Sequence, residues 1–168
     1  LVLAATSQLR FMPAANFNGT PGALTVRLSD GTELTTGPSV NLGTIGGSSG
    51  WSSATLSLGT SITAVNDAPV ASGNATLAAV TEDTAAPAGA LVSALFEANY
   101  SDATDTVTGG STGSTLAGIA ITGNSANALT QGKWEYKTST ASANWITVAS
   151  SVLSDSDALV LSRDSLLR

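Results

Sequence analysis

Val65-Asn66-Asp67-Ala68-Pro69 divides the sequence into two runs of strand-like segments. Pro69 fixes its own φ and withholds an N–H, and it biases Ala68 towards extended backbone. A chain leaving one sheet and entering another has those needs, and Asn66 and Asp67 set side-chain oxygens at the same point. The stretch reads as a junction between β-modules. Residues 1–64 are then the closing strands of one sandwich repeat, 65–69 the linker, and 70–168 the opening strands of the next.

On the N-terminal side, Asn18-Gly19 marks a turn, because both residues tolerate positive φ. Leu24, Val26 and Leu28 alternate with Thr25, Arg27 and Ser29, which predicts a half-buried strand stopped by Asp30-Gly31. The glycine- and serine-rich run 43–50 reads as a loop, and Leu56, Leu58 and Ile62 as a strand running into the junction. On the C-terminal side a short strand is expected over 75–80, and a strand or a single helical turn over 91–96. Residues 99–105 are oxygen-rich and turn-like, and Ile119 and Ile121 share a strand face. Residues 133–148 read as a hairpin with Trp134 and Tyr136 on one face and Lys133, Glu135 and Lys137 on the other. In a chain with 5% aromatics, Trp134, Tyr136 and Trp145 are expected to pack into the core, with a carbohydrate platform as the alternative. No segment sustains a 3.6-residue period. The fold class is all-β, antiparallel sheets packed as a sandwich.

Composition narrows the chemistry. Cysteine and histidine are absent, which removes disulfides, thiolate nucleophiles, Ser-His-Asp triads and ordinary zinc sites. No apolar run approaches the roughly 18 residues of a membrane span, and residues 1–6 lack the charged head and long apolar middle of a signal peptide. The sequence reads as an excerpt from a longer chain. Six basic and twelve acidic residues give a net charge of −6. Between Arg27 and Lys133 there is no basic residue, but Asp30, Glu33, Asp67, Glu82, Asp83, Glu97, Asp102 and Asp105 all fall there. Carboxylates gathered by a fold without counter-charges repel one another unless a cation joins them. Such a surface also disfavours nucleic acid and anionic membrane.

Calcium takes six to eight oxygens at about 2.3–2.6 Å. One Asp-x-x-Asp loop is too few, so Asp102 and Asp105 would have to meet Asn66, Asp67, Glu82 and Asp83 at the junction. The competing reading makes Asp67 an Asx-turn residue and Asp83 a turn or cap. Asp30 and Glu33 read as solvated charges. Asp155 and Asp157 are weaker metal candidates. Asn18-Gly19-Thr20, Asn74-Ala75-Thr76 and Asn99-Tyr100-Ser101 fit the glycosylation sequon in a chain rich in those residues. No carboxylate pair is placed for hydrolysis, and catalysis is not expected.

The two ends of the sequence repeat. Leu1-Val2-Leu3-Ala4-Ala5-Thr6-Ser7-Gln8-Leu9-Arg10 aligns without a gap on Leu159-Val160-Leu161-Ser162-Arg163-Asp164-Ser165-Leu166-Leu167-Arg168, identical at six of ten positions and offset by 158 residues. That is a tandem repeat seen for slightly more than one period.

With that frame, VNDAP at 65–69, EDT at 82–84, YSDATDT at 100–106 and LAGIAITG at 116–123 resemble the cadherin-like or Ig-like tandem repeats of giant bacterial (RTX-type) surface adhesins. GKWEY at 132–136 with Trp145, the closing run 158–168 and FMPAANFNGTPGALTVRLSDG at 11–31 resemble them too. The resemblance covers most of the chain through the order of motifs, each short. It implies extracellular, secreted sandwiches on the bacterial surface, strung in arrays and stiffened by Ca²⁺ at their junctions. Carried over, Asn66 and Asp67 lie at the linker, Glu82 and Asp83 after the first strand, and Asp102 and Asp105 in the acidic loop. Two departures stand out: the Gly-Gly-x-Gly-x-Asp nonapeptides are missing, and Thr63-Ala64 sit where a further acidic ligand is expected. Three functions follow. The first is a spacer for adhesion or biofilm, its partners adjacent copies of the same repeat. The second is a self-assembling filament subunit completed by strands of neighbouring copies. The third is a module binding glycan or peptide through its loops.

Overall fold

The structure, a computed structural model, describes residues 1–168. It is β-rich: ten short strands, all paired antiparallel, and one short helix. The chain falls into two units, one of residues 1–66 with 104–112, the other of 67–103 with 113–168. The division lies between Asn66 and Asp67, and the excursion of 104–112 into the first unit has no sequence signal.

In the first unit, β1 (Leu24–Val26) pairs with β2 (Leu56–Leu58), Leu24 opposite Leu58 and Val26 opposite Leu56. Isolated bridges join Val2 to Gly37, Gly19 to Ile62 and Ser29 to Trp51. Arg27 ties the loop beyond β1 down by donating from Nη1 to the carbonyls of Ser52 (2.8 Å) and Ser53 (2.6 Å). The expected half-buried strand is corrected here. Leu24, Leu28, Leu56 and Leu58 are exposed, and only Val26 is partly covered. A two-stranded ribbon has no second layer to bury its apolar face against. The strand expected to reach the junction also stops at Leu58, and Ile62 bonds Gly19 instead.

The second unit holds the packed core. β3 (Val70–Ala71) pairs with β5 (Tyr100–Ser101), and β4 (Ala90–Leu91) runs into α1 (Val92–Phe96). The 91–96 stretch is thus both strand and helical turn. β6 (Gly118–Ile121) pairs with β9 (Leu159–Ser162), Ile119 opposite Leu161. A four-stranded sheet is ordered β4-β10-β7-β8, with β7 at Glu135–Lys137, β8 at Ile146–Thr147 and β10 at Leu166–Leu167. Tyr136 opposite Ile146 closes the hairpin read over 133–148. The core is Val92, Leu161 and Leu167, flanked by Leu95, Phe96, Ile119, Ile121, Tyr136 and Leu159.

Two expectations fail in this unit. Residues 75–80 form no ladder. That run is alanine-rich, alanine is a poor strand former, and pairing is spent earlier, on Val70–Ala71. Trp134 is 45% exposed while Glu135 is buried, the reverse of the expected alternation. The reason is electrostatic: Glu135 turns inward towards Arg168 and is paired there.

Many large apolar side chains stay in water, among them Leu28 and Leu56 in the first unit and Val70, Leu129 and Val160 in the second.

Candidate functional site

The six oxygen-bearing residues expected to hold calcium can be placed one by one. Asn66 is exposed and Asp67 half-buried. Glu82 and Asp83 are exposed at the centre of a turn that Thr81 and Thr84 close by themselves. The Thr84 N–H and Oγ1 donate to the Thr81 carbonyl at 3.3 and 2.7 Å, and the two hydroxyls lie 2.9 Å apart. Asp83 takes φ +65°, a left-handed conformation that Asp tolerates better than most residues. Asp102 is half-buried: its Oδ2 accepts from the Ser114 N–H at 2.5 Å, while Oδ1 is buried without a hydrogen bond. Asp105 ends a 3₁₀ turn over Ala103–Asp105, and its carbonyl accepts from the Ser111 hydroxyl. Within neither unit do three acidic side chains form a group that could hold a metal ion.

The best-built polar constellation was not legible in the sequence. Arg168 and Glu135 exchange both backbone hydrogen bonds, at 2.8 and 2.9 Å, which carries the β7–β10 ladder one residue further. Their side chains also meet. Arg168 Nε and Nη2 lie 2.8 and 2.6 Å from Glu135 Oε2, and Nη1 donates to the Pro87 carbonyl at 3.1 Å. The guanidinium covers the Trp145 ring, its carbon 4.2 Å from the centroid, and the Lys137 amine lies 5.0 Å from it. Glu135 Oε1 takes Lys133 at 2.8 Å. Lys133 and Arg168 hold the Glu135 carboxyl below its usual value. Asp30 is lowered as well, by the Thr32 N–H that it accepts at 2.9 Å.

The chemistry of this cluster is closure. Arg168 joins β10 to β7, to the ring on the β7–β8 connection and to the loop before β4. Gly89, at φ +75°, makes room for it: a Cβ there would stand 2.5 Å from the Leu167 carbonyl and 2.7 Å from Trp145 Cη2. Trp145 lies under the Arg168 guanidinium with Lys137 near its ring, and Trp134 stands out to solvent.

Among the sequons, Asn18 is buried. Its amide donates to Ser111 Oγ at 2.8 Å, and its carbonyl oxygen accepts from Ser111 N at 2.6 Å. That side chain pins 104–112 within the first unit. A shallow depression of about 500 Å³ lies beside Trp51, floored by glycine and serine backbone, with Asp30 as its one charge.

Comparison with protein-family models, with curated proteins and with solved structures returned no match.

Proposed function

We propose that this chain is a non-enzymatic structural repeat of an extracellular bacterial adhesin, a spacer and scaffold whose sheets pack as cadherin-like or Ig-like sandwiches. The supporting observation is the 158-residue recurrence. Its second copy is not a tail but β9 and β10, the strands that supply two of three core residues and the Arg168 closure. A sequence that returns at the structural seam of a unit belongs to a chain that repeats that unit. Calcium enters this proposal as a stiffening ion, on the strength of the acidic run and the adhesin resemblance.

The test is a set of head-to-tail tandems with one to four periods, measured by small-angle scattering and by melting with Ca²⁺ or with chelator. The expected result is a maximum dimension that grows linearly with period number, and melting that chelator lowers. Tandems that collapse to a constant dimension would overturn the spacer. Indifference to chelator would remove the calcium and leave the spacer standing.

A further inference from the structure

We infer that Leu1–Arg10 is a closing segment whose seat is a groove like the one filled by Leu159–Arg168, and that in an array this groove is supplied by residues 67–103 and 113–158 of the copy before it. The argument is positional. Four residues of the C-terminal copy face inward: Leu161 (2% exposed), Ser165 (1%), Leu167, and Arg168 through its clamp on Glu135. Their counterparts at an offset of 158 are Leu3, Ser7, Leu9 and Arg10, each the same residue. The four positions that differ put Ala4, Ala5, Thr6 and Gln8 where Ser162, Arg163, Asp164 and Leu166 stand. None of those four is buried. Every inward residue is thus kept and every change falls on a position that is not buried, while the exposed Val160 is kept as well.

The N-terminal copy does not use that face. Leu3 is 38% and Leu9 55% exposed, and Ser7 and Arg10 are in water. Val2 is buried instead, by two backbone bonds to Gly37 (2.9 and 3.2 Å), whereas its counterpart Val160 is 74% exposed. Strand side chains alternate, so the two copies bury opposite faces of one sequence. The side that fits a groove is left unused where no groove is present. Ser165 shows why the inward residues are specific. Its carbonyl accepts from the Val92 N–H at 2.8 Å, and its hydroxyl lies 3.3 Å from the Thr138 carbonyl, too tight a seat for a larger side chain.

This inference rests on the array reading but fails separately from it. The first test rewrites the C-terminal copy as the N-terminal one in the full chain: Ser162→Ala, Arg163→Ala, Asp164→Thr and Leu166→Gln together. Ala120 pairs with Val160 and both are exposed, so cysteines at these two positions report seating in a chain with no other cysteine. The rewritten chain is expected to form that disulfide and melt cooperatively, within about 15 °C of the parent. Failure to bridge, or loss of cooperative melting, would overturn the inference. The second test is a tandem of residues 1–158 followed by 1–168, with Ala120→Cys in the first copy and Val2→Cys in the second. An intramolecular bridge supports the seating, and free thiols in a folded tandem overturn it. A bridged but collapsed tandem would sink the spacer alone, and an extended tandem without the bridge would sink only this assignment.

Discussion

Removing the Arg168 side chain is the sharpest test of how the second unit is held shut. Arg168→Ala deletes two charge-assisted contacts to Glu135 Oε2, one to the Pro87 carbonyl and the stack on Trp145. Hydrogen bonds to charged groups are each worth about 1.5–3 kcal/mol, and a partly desolvated cation over tryptophan about 0.5–2 kcal/mol. Two effects pull the total down: Lys133 still neutralises Glu135, and the arginine no longer loses rotamer freedom, worth up to about 2 kcal/mol. The net loss should be about 2–3 kcal/mol, or about 10–20 °C of melting temperature in a unit of this size. Arg168→Lys keeps the charge but loses the fork and the stack, and should fall near half that loss. Urea unfolding with a double-mutant cycle against Glu135→Gln should return a coupling of about 1.5 kcal/mol or more. Both side chains are mostly shielded, 15% and 12% exposed, so the coupling should survive about 0.5 M salt. A cost below about 0.5 kcal/mol, or a coupling that salt erases, would mean an ordinary surface pair, and the closure argument would fall.

Three other outcomes follow from the same contacts. Glu135 has a lowered folded pKa, so its contribution is fully present above the usual 4.5 and fades as pH falls through the folded value. Urea titrations taken down from about pH 5 should show an acid-labile component that Glu135→Gln removes. Gly89→Ala meets both a positive φ and two contacts under 3 Å, and should cost about 2 kcal/mol, read as a lower urea midpoint at unchanged slope. Leu161→Ala should cost about 2–5 kcal/mol and Trp134→Ala less than about 1 kcal/mol, an order that reverses the usual rank of tryptophan and leucine.

Legibility in the sequence followed the range of the interaction. The hairpin over 133–148, the shared face of Ile119 and Ile121 and the left-handed glycines at 19 and 31 depend on neighbours a few residues away, and alternation and turn chemistry marked them. Burial of Leu24 and Leu58 did not follow, because period-2 patterning shows which face is apolar and not whether anything covers it. Glu135 reads as outward-facing for a similar reason. A carboxylate in a strand reads as solvent-facing unless its partner is known, and Arg168 lies 33 residues away. The acidic residues are legible as charges, and Glu82 and Asp83 lie on a turn that Thr81 and Thr84 close between them.

The decapeptide copies carry this point furthest. Two segments with the same Leu, Ser, Leu and Arg at matching positions cannot bury opposite faces through intrinsic preference, since their preferences are nearly the same. The difference must come from what each one meets. Leu159–Arg168 finds α1 with two unsatisfied N–H groups, which it meets with the carbonyls of Ser165 and Arg163 at 2.8 and 2.9 Å. It finds β6 to pair with, and Glu135 waiting for a cation. Leu1–Arg10 pairs with Gly37, and does so through Val2, whose counterpart Val160 the groove leaves in water. A short strand is a ligand for its sheet, and its register is set by whichever edge offers more bonds and more apolar area. On that ground Leu24, Leu56 and Leu58 stay exposed in the first unit because the ribbon of β1 and β2 meets no further strand there.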